Sequence, residues 1–131
     1  MKLLDSFIYL ELYKMFMKYK GSCHCKRISY EVEGDLKEAM ECNCSHCSRK
    51  GYLLWFLPKN KIKLLNPIKD MSVYTFNKHI IKHYFCPICG CAPFGFGSDG
   101  KGEKTVAINI RTLENIEISS LKINKCDGKN F

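Results

Sequence analysis

Cys42-Asn43-Cys44-Ser45-His46-Cys47 places three cysteines within six residues, in a C-x-C-x-x-C pattern. Two more tight groups flank it, Cys23-His24-Cys25 upstream and Cys86-Pro87-Ile88-Cys89-Gly90 downstream. Seven of the nine cysteines therefore fall in three clusters. Thiolates are soft ligands that suit zinc. Closely spaced pairs are how a chain brings two sulfurs to one metal. Side chains two apart on a strand point the same way. The spacing thus predicts Cys23 and Cys25 facing one metal, with Cys42 and Cys44 related likewise and Cys47 joining from a turn. In C-x-x-C-G, the glycine after the second cysteine permits the positive φ that turns backbone N–H groups toward the sulfurs.

Seven ligands divide into four and three. In one partition Cys23, Cys25, Cys86 and Cys89 make a closed structural zinc site. Cys42, Cys44 and Cys47 then make a three-ligand site with an open position, the form of catalytic zinc. In the other, Cys44/Cys47 and Cys86/Cys89 make a zinc-ribbon-like foursome. Spacing leaves both open. The fourth position of the triplet could also belong to water, to His46 or to a partner's side chain, leaving only a staple.

A disulfide framework is the competing use of cysteine. The count is odd, and C-x-C is an awkward span for a disulfide. Lys2-Leu3-Leu4 starts like a signal peptide, but Asp5 and Glu11 interrupt the apolar run and no small-residue cleavage site follows. The expectation is a reduced, cytoplasmic, metal-bound chain. No apolar run reaches the ~18 residues of a membrane span.

The 131 residues fit one domain with a modest apolar core. The formal charge of +8 invites an anionic partner. Zinc-bound thiolates lower it to about +5 if one four-thiolate and one three-thiolate site form. The lysines are scattered without a basic block, which argues against nucleic acid.

Residues 1–18 read as an N-terminal extension, with Leu4, Phe7, Ile8 and Leu12 on one helical face. Residues 19–131 read as a mostly β domain of short strands. Ile28–Val32 alternates with polar residues and ends at Gly34-Asp35. Tyr52–Leu57 is a continuous apolar run, expected as a buried strand, and Ile62–Leu65 is a further strand. Val73–Phe76 and Ile80–Phe85 suggest a strand pair. Gly95, Gly97 and Ser98-Asp99-Gly100 suggest a loop, Thr105–Ile110 a strand, Leu113–Ile116 a helical turn and Ile118–Ile123 a last strand.

Gly21-Ser22-Cys23-His24-Cys25, the Cys42–Cys47 stretch and Phe85-Cys86-Pro87-Ile88-Cys89-Gly90 together resemble the glutathione-dependent formaldehyde-activating enzyme family, which includes centromere protein V. Val106–Leu113 and Asp127-Gly128-Lys129-Asn130-Phe131 are similar to its closing motifs. The resemblance covers about Tyr19 to Phe131. It implies the β-tent fold, short antiparallel strands held by zinc. It also implies the first partition, with Cys23, Cys25, Cys86 and Cys89 on a structural zinc and Cys42, Cys44 and Cys47 on a catalytic one.

The implied activity is that of a carbon–sulfur lyase acting on a small thiol adduct, as when glutathione's thiol adds to formaldehyde to give S-hydroxymethylglutathione. The alternative is a non-catalytic, zinc-stapled binding module. Lys26 stands where a glycine is common, and Cys91 where a small hydroxyl residue is usual. Cys91 and Cys126 read as idle thiols. For the chemistry, His46 is the nearest proton shuttle by sequence, against the plainer reading of a solvated histidine. Arg49 and Lys50 are candidates to hold a substrate carboxylate, since arginine pairs with carboxylates at two points. Trp55 and Phe56 read as core packing, with the wall of a pocket as the alternative. His79 and His83 are expected on one face of the strand leading to the knuckle.

Overall fold

The computed structural model describes residues 3–130, with side chains from residue 6 onward, so Leu4's side chain and Phe131 lie outside the described residues. Helix α1 spans Leu3–Met15. Phe7, Ile8, Leu12 and Tyr13 are all exposed, so the expected apolar face does not pack onto the domain. Its ties are peripheral: Glu11 pairs with Lys37 at 3.6 Å. Just beyond the helix, the Gly34 N–H donates to the Met17 carbonyl at 2.9 Å. No helix among the described residues is long and apolar enough to cross a membrane.

A small antiparallel sheet combines β1 (Lys18–Ser22), β2 (Ser29–Glu33) and β5 (Ile62–Leu64) in the order β1-β2-β5. Its inner residues Tyr30 and Val32 are fully buried, while Lys20, Glu31 and Lys63 face one another across the other side in alternating charge. Gly21 is required here, because a Cβ would sit 2.3 Å from the Tyr30 ring that lies across it.

The larger sheet runs β10-β3-β4-β9-β8-β7-β6. Its strands are β3 (Glu38–Cys42), β4 (Leu54–Pro58), β6 (Ser72–Tyr74), β7 (Lys82–Phe85), β8 (Phe94–Ser98), β9 (Lys104–Asn109) and β10 (Lys122–Cys126). Pairing is antiparallel except at β10, which runs parallel to β3 with Cys126 opposite Cys42. Short helix α2 (Ser45–Lys50) follows β3.

One apolar cluster draws on both sheets: Ile28, Tyr30 and Val32 from the first half, Phe94, Val106, Ile108 and Ile110 from the second. Burying each aliphatic side chain contributes about 1.5–3 kcal/mol. Tyr30 also crosses between the sheets, its hydroxyl 2.7 Å from Thr112 Oγ1 and its ring edge-on to Phe94.

The mostly β architecture is the expected one, with local corrections. Gly95 and Gly97 lie within β8 rather than a loop. Phe94 and Phe96 alternate into the core, and Gly95 allows β7 close, since a Cβ there would lie 3.2 Å from the Lys82 carbonyl. The helical turn sits at Ile110–Thr112, three residues earlier than expected, and Ile118–Ser120 is another such turn, so the last strand starts only at Lys122. β4 is buried on one face only: Trp55 is enclosed, edge-on to Tyr19, while Phe56 is exposed.

Candidate metal centres

Two sulfur clusters form. The first joins Cys23, Cys25, Cys86 and Cys89, whose Sγ atoms all lie within 4.8 Å of one another. Cys23 and Cys25 do not reach it by strand alternation. β1 ends at Ser22, and the chain turns, with Lys26 N–H on the Cys23 carbonyl at 3.2 Å. Lys26 closes that turn at φ +69°, left-handed backbone that favours glycine. This is the physical reason a glycine suits the position. On the other side, Gly90 adopts φ +79° as expected, and its N–H meets the Cys86 carbonyl at 2.9 Å.

Backbone N–H groups surround these sulfurs. Ile28 N–H donates to Cys23 at 3.3 Å, and those of Ile88 and Cys89 to Cys86 at 3.4 and 3.5 Å. The N–H groups of Cys25 and Cys91 hold the Cys89 thiol down to about 5. Burial raises Cys86 most, yet the N–H groups of Cys89 and Ile88 bring it below the ordinary thiol value. Cys23, fully enclosed, is pushed up by burial to about 12. Cys91 thus contributes its backbone, while its half-buried side chain packs on the core.

The donor set fits zinc. The sulfurs of Cys23 and Cys25 are 3.7 Å apart, and those of Cys25 and Cys86 3.5 Å. A tetrahedron with Zn–S near 2.3 Å has edges of roughly 3.8 Å, whereas a disulfide bond is about 2.05 Å. All nine cysteines are free.

The second cluster is Cys42, Cys44 and Cys47, again within 4.8 Å. Cys42 ends β3. Cys44 is the N-cap of α2, its sulfur accepting from the Cys47 N–H at 3.2 Å, and Cys47 comes round in the first turn. The Cys44 N–H points at Cys42 at 3.5 Å. Burial raises Cys42 and Cys47; it is also the largest effect at Cys44, yet the N–H groups of Cys47 and His46 and the neighbouring thiols together bring Cys44 below the ordinary thiol value. The two clusters follow the four-and-three partition, and each could hold a metal ion.

The triplet opens on a cleft of about 410 Å³ lined by Glu41, Tyr52, Arg111, Lys125, Cys126 and Asp127, among others. Three features were invisible in the spacing. First, the closing motif clamps the metal loop. Asn43 Nδ2 donates to Asp127 at 2.8 Å, Lys129 N–H donates to Asn43 Oδ1 at 2.9 Å, and Asn43 N–H reaches the Cys126 carbonyl at 3.1 Å. The amides of Asn43 and Asn130 hold the Asp127 carboxyl below its usual range. Second, Gly128 lies against the sulfurs: a Cβ would be 2.5 Å from Cys42 Sγ and 3.4 Å from Cys44 Cβ. Gly128→Ala is therefore expected to weaken the second metal about 10–100-fold while sparing the first, as chelator competition would register.

Third, Arg111 rather than Arg49 reaches this cleft. Asn109 caps the Ile110–Thr112 turn through Arg111 N–H at 3.2 Å, and Arg111 Nε rests on the Gly51 carbonyl at 3.3 Å. Lys125 pairs with Glu41 at 3.7 Å. Asp127 is held by amides, so Arg111 has no carboxylate partner among the described residues. The signal was present in Asn109-Ile110-Arg111-Thr112-Leu113, a stretch whose chemistry its spacing does not express.

His46 and Arg49 line a different cavity, of about 500 Å³, with Lys50, Tyr52, Tyr74 and His83. The His46 ring packs among His83 at 4.4 Å, Phe76 at 5.1 Å and, edge-on, Tyr52 at 5.5 Å, and neither of its nitrogens has a partner among the described residues. Burial, then Lys50, lowers its pKa; burial, then His46 and Lys50, takes His83 to about 4. Arg49 donates to the Ser45 carbonyl at 2.8 Å, and Lys50 lies over Phe85. His79 is off the strand, its Nδ1 2.8 Å from Thr75 Oγ1. Tyr52 lines both cavities, its phenol pushed up to about 12 by burial and by Cys47.

Comparison with known proteins agrees with the motifs. The profile of the family described as glutathione-dependent formaldehyde-activating enzyme matches residues 18–124. A Rhodobacter sphaeroides protein of known crystal structure superposes with a TM-score of 0.71 at 26% identity, covering 84% of this chain and all of that one.

Proposed function

Because the chain belongs to the glutathione-dependent formaldehyde-activating enzyme family, we propose that it is a zinc-dependent carbon–sulfur lyase acting on a small, carboxylate-bearing thiol adduct such as that of glutathione and formaldehyde. The observation that carries this reading is a three-thiol cluster opening on a cleft whose one arginine lacks a carboxylate partner among the described residues. Zinc bound there would offer a position for the substrate's sulfur and lower its thiol pKa. The four-cysteine zinc is structural.

The residues of the cleft supply the rest. Arg111 takes a substrate carboxylate, with Lys125 at the rim. In the synthetic direction the sulfur lone pair forms the S–C bond, the carbonyl π pair moves to oxygen, and that oxygen takes a proton. Tyr52, protonated at neutral pH and lining the cleft with Cys47, is the proton donor. His46 packs edge-on against Tyr52 from the second cavity, and since neither of its nitrogens has a partner among the described residues, any proton it shuttles passes through water. Arg49 remains at the mouth of that second cavity.

Arg111→Gln tests the assignment. A charge-assisted hydrogen bond contributes about 1.5–3 kcal/mol, so KM for glutathione adducts should rise roughly 10–100-fold. KM for an adduct of a thiol without a carboxylate should stay level. An equal rise for both would remove Arg111 from substrate binding.

A further inference from the structure

Cys126 is read from sequence as an idle thiol, yet the fold places it beside the second cluster, just outside the three sulfurs that lie within 4.8 Å of one another. In the parallel β10–β3 ladder it is the register partner of Cys42. Such partners stand side by side, on strands about 4.8 Å apart, with side chains on one face. Both line the cleft with Cys47. The Cys126 carbonyl is fixed by Asn43 N–H, and Asp127 and Gly128 lock the following turn against the loop. Its backbone is thus held beside the triplet, and rotation about Cα–Cβ is the motion that would bring its half-buried thiol to the metal.

We propose that Cys126 is a displaceable fourth sulfur ligand of the Cys42/Cys44/Cys47 metal, closing the site until a substrate thiol replaces it. The inference rests on the lyase reading above. The exchange balances. The metal–Cys126 sulfur bond breaks as the metal–substrate sulfur bond forms, and the proton of the incoming thiol passes to the departing Cys126 thiolate. Net charge is unchanged, so no external base is needed for thiol entry. The resting metal is also shielded from water and from chelators.

Zinc-edge X-ray absorption on the full zinc-loaded chain counts the sulfurs. Two four-sulfur sites give about 4 sulfurs per zinc in the wild type, falling to about 3.5 in Cys126→Ser or Cys126→Ala. Iodoacetamide labelling read by mass spectrometry provides the second readout. Cys126 should be protected in the resting zinc-loaded protein and become labelled once glutathione is added. A wild-type count near 3.5 with two zincs bound, or Cys126 labelling unaffected by glutathione, overturns the ligand role and leaves the lyase reading standing. One zinc per chain, with the triplet empty, defeats the lyase reading itself.

Discussion

Cys89→Ser is expected to leave the chain unfolded. Cys89 belongs to the cage that joins the turn after β1 to the turn after β7, one from each sheet. A structural zinc contributes about 10–16 kcal/mol, while a domain of this size is stable by only about 5–15 kcal/mol in all. The apolar cluster is small and cannot absorb that loss. Serine keeps the shape of the side chain but lacks the soft thiolate that the N–H groups of Cys25 and Cys91 stabilise. Far-ultraviolet circular dichroism and dye binding should report lost strand content and exposed apolar surface. Prolonged chelation of the wild type should end in the same state. A folded Cys89→Ser protein with native dichroism would mean that this cage is not what holds the sheets together.

Cys44→Ser is expected to separate folding from chemistry. Cys44 caps α2 by accepting the Cys47 N–H, a role serine fills as well as any residue. The helix should therefore survive, with the melting temperature within a few degrees of wild type. Of the triplet only Cys42 and Cys47 then remain, with Cys126 beside them, a set too weak to keep the metal against a chelator, so the content should fall from two ions per chain to one. Turnover of a thiol–aldehyde adduct should fall to the uncatalysed background. The two substitutions thus move in opposite directions: one abolishes the fold, the other spares it and abolishes catalysis. Retained turnover in Cys44→Ser would place the chemistry elsewhere.

The two cysteine clusters could be read from the sequence because their information is local. A cysteine pair two or three residues apart, followed by Gly90, constrains the backbone almost regardless of what surrounds it. The alternation of Ile28, Tyr30 and Val32 gave one strand of the core in the same way. What escaped depends on tertiary placement. Asp127 and Cys126 reach the triplet because β10 runs parallel to β3, and Arg111 reaches the cleft because β9 pairs with β4, long-range pairings no local pattern announces. His46 has the converse history. It stands between two ligands in the chain, but α2 turns its ring to the aromatic cavity and its neighbours' sulfurs to the cleft. Even the cysteine pairs were brought together by turns, not by strand alternation, so the grouping into four and three agreed while the backbone reasoning did not.

The central claim is that the Cys42/Cys44/Cys47 cluster receives a substrate sulfur. A crystal of the zinc-loaded protein soaked with glutathione tests it most directly. The expected result is the glutathione sulfur at about 2.3 Å from the zinc on these three cysteines, with a glutathione carboxylate on Arg111. Zinc present there with no thiol bound at saturating glutathione would contradict the claim and leave a zinc-stapled binding module in its place.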